Sequence, residues 1–127
     1  MNLFPGVVGR KLGMTQLFAE DGTVVSCTVV ESQAVVVAKR TKDKDGYDAL
    51  IVGTGARKET RTNKALAGMY KKANVPARQD LRELRCSAEF AASYEVGQDL
   101  KIDQIFEEGQ FVDVQGVTRG RGFTGVV

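Results

Sequence analysis

The chain contains no histidine in its 127 residues. That removes the side chain most used for acid–base chemistry near neutral pH and for zinc ligation. Sixteen carboxylates remain, but nothing in their spacing singles out a catalytic pair. Cysteine is scarce too. Cys27 and Cys86 are too few for a disulfide framework and too far apart for a paired metal knuckle, so both read as small core residues. Long apolar runs are also missing. The largest clusters, such as Val35-Val36-Val37, are strand-sized, and the opening Met1–Gly6 lacks the charged and apolar regions of a signal peptide. The expectation is an intracellular protein with no membrane partner, no metal, no cofactor and no small-molecule substrate.

What is present is the ordinary mix of a globular domain, 43% apolar and 27% charged. A chain of this length can bury roughly two-thirds of its unfolded surface. The net charge of +2 hides a segregation along the sequence. Residues 51–78 carry seven basic side chains against the single Glu59, whereas residues 79–116 carry three basic and nine acidic ones. The cations concentrate in ARKETRTNK, followed by Lys71, Lys72 and Arg78. Such a segment would draw a polyanion by releasing its condensed counterions, although a solvated loop and helix face would look the same.

Apolar and β-branched residues gather in short runs divided by turn signals, which favours strands. The clearest are GTVVSCTVVE, AVVVAKRT and YDALIVGT, with later runs at Leu81–Ser87, Asp99–Ile102 and Phe111–Thr118. Asp21-Gly22 and Asp45-Gly46 read as hairpin turns. One helix is expected over about 63–73. Asn63 can cap it, and Leu66, Met69, Tyr70 and Ala73 form one apolar stripe that leaves Lys64, Lys71 and Lys72 outside. Pro76 discourages continuation. The fold expectation is mainly β, a barrel or sandwich over 1–118, interrupted by a basic loop and helix at about 55–78. A Gly/Arg-rich segment starts at 119–127.

Two glycine patterns invite a nucleotide-loop reading. Gly120, Gly122 and Gly125 match G-x-G-x-x-G, but a dinucleotide loop must lead into a helix, with an acidic residue about twenty positions further on for the ribose. Neither feature follows Gly125 here. GTGARK at Gly53–Lys58 fails the spacing of a phosphate loop, and its glycines are better placed to end a strand. Alternating arginine and glycine in TRGRGF suits a backbone that follows an irregular phosphate surface, with guanidinium groups forked onto its oxygens.

Gly9-Arg10-Lys11-Leu12-Gly13-Met14-Thr15, then Phe18 and Glu20-Asp21-Gly22, is similar to the opening of the large-subunit ribosomal protein three family. The likeness continues through Val29-Val30-Glu31, Asp45-Gly46-Tyr47, Gly55-Ala56-Arg57-Lys58, the helix with its Ala67-Gly68, and Val96-Gly97-Gln98. It is most specific from Val112-Asp113-Val114 to Gly116–Phe123. The resemblance implies a barrel like that of the translation-factor proteins, bound to large-subunit (23S-type) rRNA near its 3′ end and to neighbouring ribosomal proteins. It also implies a role early in subunit assembly, a cytoplasmic location on the ribosome, and no enzyme activity. Family members run well past the position of Val127, so the expectation is an incomplete barrel with open strand edges. The residues expected to meet RNA are Arg10, Lys11, Arg57, Lys58, Arg61, Lys64, Lys71, Lys72, Arg119 and Arg121. Two other readings stay open: a small nucleotide-binding enzyme using the Gly120–Gly125 loop, and a protein-interaction barrel whose basic segment meets an acidic partner.

Overall fold

The computed structural model describes residues 6–126. Residues 1–5, which carry most of the opening-segment reading, and Val127, the last residue of the Gly/Arg-rich segment, lie outside the described residues. Strand β1 (Arg10–Phe18) and strand β2 (Val24–Glu31) form a two-stranded antiparallel ribbon. Its turn is the expected Asp-Gly one. Gly22 takes φ +82°, and the Asp21 carboxylate accepts the Thr23 N–H at 2.9 Å. That bond favours the charged form and holds the Asp21 carboxyl below its usual range.

The chain then builds an open antiparallel sheet. Strand β3 (Ala34–Arg40) leads through a one-turn helix α1 (Lys42–Asp45) to strand β4 (Ala49–Ala56). After helix α2 (Lys64–Ala73) come strand β5 (Arg78–Arg85), helix α3 (Ala88–Ser93) and the two-residue strand β6 (Asp99–Leu100). The spatial order is β5-β4-β3-β6. The fold is mainly β with an inserted helix, as the sequence suggests. The four-stranded sheet stays open, with β5 and β6 at its edges, and the β1–β2 ribbon is a separate sheet.

Apolar clusters cover both faces of the four-stranded sheet. On one face Val36, Leu50, Val52, Cys86 and Leu100 join Ala91 and Tyr94 from α3 and the residue after it. On the other, Val35 and Val37 join Tyr70 and Ala73 from α2, with Leu66 and Met69 packed alongside. A strand buried on both sides must be apolar at successive positions, which explains the unbroken Ala34–Val37 run. An irregularity between Val36 and Ala38 inserts Val37 as an extra residue and leaves it on the same face as Val35. Gly53 matters on that face as well. A Cβ there would lie 2.7 Å from the Arg78 Cγ and 3.1 Å from a Val37 methyl, so only glycine lets the Arg78 stem cross β4.

Several sequence expectations need correction. Phe111–Thr118 is not a strand. It pairs with no neighbour, and Phe111, Val114 and Val117 are almost wholly exposed. An alternating pattern makes a strand only where a partner takes its N–H and C=O groups. Asp45-Gly46 is not a hairpin turn. Gly46, at φ +83°, caps α1, and its N–H reaches the Lys42 carbonyl. Ser87, read as the end of a strand, caps α3 by accepting the Phe90 N–H at 3.3 Å. Cys86 is buried, whereas Cys27 on the ribbon is only half-buried. Leu50 is fully buried at the centre of its cluster, so Leu50→Ala should lower stability by about 2–5 kcal/mol in a urea titration.

Candidate nucleic-acid interface

Between β4 and β5 the chain makes an excursion whose base is tied shut. The Arg57 N–H donates to the Ala77 carbonyl at 3.1 Å, joining residues twenty positions apart. Gly55, at φ +66°, lies within β4 beside Gln79, and the pairing with β5 runs on in register to Ala56 and Arg78. A 3-10 turn over Glu59–Arg61 follows, held by the Arg61 N–H on the Lys58 carbonyl and the Thr62 N–H on the Glu59 carbonyl. Asn63 then starts α2: its Oδ1 accepts the Leu66 N–H at 2.8 Å. At the far end Asn74 adopts the left-handed conformation at φ +53°, and the Val75 N–H returns to the Tyr70 carbonyl. Thus Asn74 stops the helix two residues before Pro76. The Tyr70 hydroxyl donates to the Arg78 carbonyl at 3.2 Å and pins α2 to β5.

This scaffold holds six of the ten candidate residues. Arg57, Lys58, Arg61 and Lys64 fall within eight successive positions around the 3-10 turn and the start of α2, and all four are exposed. Lys71 and Lys72 sit exposed in the last turn. There they complement the negative end of the helix, so their placement has an internal reason. Lys64 has none. It opposes the positive end of the helix, where α2 carries no acidic residue in its first turn. The other four candidates lie elsewhere. Arg10 and Lys11 begin β1 on the ribbon, and Arg119 and Arg121 are exposed on the irregular segment after residue 110.

Ion pairs are few among the described residues and do not distinguish the candidates, since Lys42, Lys44 and Lys101 take no part in one either. Among the described residues the ion pairs join Arg40 to Asp45 at 2.7 Å and to Glu83 at 3.6 Å. The Asp45 carboxylate pushes the Arg40 guanidinium further above its already high range. A hydrogen bond to Glu83 raises the Tyr47 phenol, and Arg85 lies 4.4 Å over the Tyr47 ring. Both carboxylates in these ion pairs are held by Arg40 near the α1 end of the sheet. None of the ten candidates takes part in an ion pair among the described residues.

The dinucleotide geometry is absent from the stretch that suggested it. Residues 111–126 form neither the strand nor the helix that such a loop joins, and Gly120, Gly122 and Gly125 stand in open space. One residue entered the sequence reading only through the family likeness and not as a site candidate. Gly68 lies on the outward face of α2, one turn from Lys64 and nearly one from Lys71, and a Cβ there would meet nothing within 4 Å. A helical wheel places it, since steps of four and three residues return to the same face.

A family model described as "Ribosomal protein L3" matches residues 60–127. The chain is 57% identical over its whole length to the large ribosomal subunit protein uL3 of Sorangium cellulosum, covering 55% of that protein. It is 46% identical over 123 residues to the Myxococcus xanthus uL3 and 49% over 123 residues to that of Thioalkalivibrio sulfidiphilus. These alignments take in 96% of this chain and 54% and 57% of the relatives. The chain thus spans about half the length of the curated relatives it matches.

Because Arg57, Lys58, Arg61 and Lys64 are exposed and make no ion pair among the described residues, replacing all four with alanine should leave the fold intact. Each change should stay within about 0.5 kcal/mol, read from thermal melts followed by circular dichroism.

Proposed function

Because the chain belongs to the ribosomal protein L3 family, we propose that it is a structural constituent of the large ribosomal subunit that binds large-subunit rRNA near its 3′ end. It supports early subunit assembly, resides on the ribosome in the cytoplasm, and catalyses no reaction. The observation that carries this reading is the set of exposed, unpaired cations on the Arg57–Ala77 excursion. Each basic side chain that neutralises a phosphate releases a counterion, so affinity comes from charge density. Specificity comes from holding that charge on a fixed shape, which the tied base and the two helix caps provide. Arg119 and Arg121 add a second contact on a glycine-rich backbone that can follow an irregular strand. Arg10 and Lys11 add a third at the ribbon.

Neighbouring ribosomal proteins are the partners suited to the rest of the surface. The ribbon exposes Leu12, Met14, Leu17 and Phe18, an apolar set that an aqueous face does not favour. The acidic residues of 79–116 offer a complement to basic neighbours. No helix among the described residues is long and apolar enough to cross a membrane.

The test is affinity for the 3′ domain of large-subunit rRNA beside an unrelated structured RNA of equal length, measured across a salt series. Affinity for both should fall steeply with salt, and the 3′ domain should keep a preference of about a hundredfold. Equal binding of the two RNAs would sink the assignment of a shaped site to these residues.

A further inference from the structure

The outward face of α2 differs from an ordinary solvated helix face in three respects. It bears Lys64 and Lys71 seven positions apart, which is about 10 Å along the axis at the standard helical rise. Lys72 flanks the second of them, and the side chains between them are minimal: Ala65 and Gly68 are both exposed. Gly68 is the informative one. A glycine inside a helix costs about 1 kcal/mol relative to alanine. Nothing in the fold requires it, because the space above it is empty and its φ is not positive. A bare backbone at such a point permits close approach by something outside the chain.

The ligand chemistry follows from what surrounds the face. Cations at both ends call for an anionic surface. Recognition of single-stranded RNA relies on aromatic rings that stack with unpaired bases. The only aromatic in the excursion is Tyr70, which is 3% exposed with its hydroxyl bonded to Arg78. An A-form duplex presents the opposite requirement: a wide, shallow groove read through phosphates and 2′-hydroxyls, largely without regard to sequence. A flat, lysine-bounded helix face on a fixed scaffold matches that surface.

We propose that the α2 face formed by Lys64, Ala65, Gly68, Lys71 and Lys72 seats on the backbone of double-helical RNA and recognises its shape. This rests on the RNA-binding reading above and names the RNA form that this face takes. Gly68 is a positioning residue: its missing side chain lets the helix backbone approach, and the lysines hold the phosphates on either side.

The experiment uses the full chain with three probes of equal length: an RNA hairpin duplex, the same duplex with every base pair changed, and a single strand without self-pairing. The two duplexes should bind alike, each about tenfold tighter than the single strand. Gly68→Gln should raise the melting temperature, since glutamine is the better helix former, yet weaken duplex binding about tenfold. Gly68→Ala should also raise it and bind nearly as the parent does. The double change K64Q/K71Q should flatten the salt dependence by about two phosphate contacts. Single-strand binding as tight as duplex binding would overturn the proposal while leaving RNA binding in place, as would Gly68→Gln binding like the parent. Failure to bind any of the three RNAs, together with no preference for the rRNA 3′ domain, would overturn the RNA-binding reading itself.

Discussion

The first four residues of β3, Ala34–Val37, are buried on both faces of the sheet. Val36 belongs to the cluster built with Leu50, Val52 and α3, while Val35 and Val37 belong to the one built with Tyr70, Ala73 and α2. Both clusters include residues of this strand, which therefore lies between the apolar faces of the two helices. Burying apolar side chains at about 1.5–3 kcal/mol each is what offsets the entropy of ordering the excursion. The chain consequently places α2 by its inner face and leaves its outer face unconstrained by packing.

That division of labour gives the basic segment its meaning. A cluster of lysines and arginines on a loose loop would attract any polyanion. Here the same charges ride on an element capped at both ends, tied at its base and pinned by a tyrosine hydroxyl. None of these cations forms an ion pair among the described residues, where Asp45 and Glu83 pair with Arg40. Lys64 at the positive end of α2 is locally unfavourable, and an external anion is the partner that would reverse the sign of its contribution. Shape and charge therefore reside in one small unit.

The sequence announced some of this and concealed the rest, for identifiable reasons. Helix α2 was legible because Leu66, Met69, Tyr70 and Ala73 share one stripe behind an asparagine cap, a signal that needs no tertiary knowledge. The ribbon turn was legible from Asp21-Gly22. Helix α3 was not, since six residues hold less than two turns of periodicity, and its cap Ser87 looks like the end of a strand. Phe111–Thr118 carries strand alternation without a strand, because pairing is a property of neighbours and not of the segment. The charge density of the site could be read directly. Its geometry could not: the Arg57–Ala77 bond spans twenty positions, and the open space above Gly68 exists only once the helix is folded against the sheet.

The most direct test of the account is lysine reactivity toward an acetylating reagent, read residue by residue by mass spectrometry with and without the 3′ domain of large-subunit rRNA. Lys58, Lys64, Lys71 and Lys72 should become protected. Lys42, Lys44 and Lys101, equally exposed but outside the excursion, should keep their reactivity. Protection spread evenly over all seven, or confined to the last three, would contradict the claim that the β4–β5 excursion is the RNA-binding face.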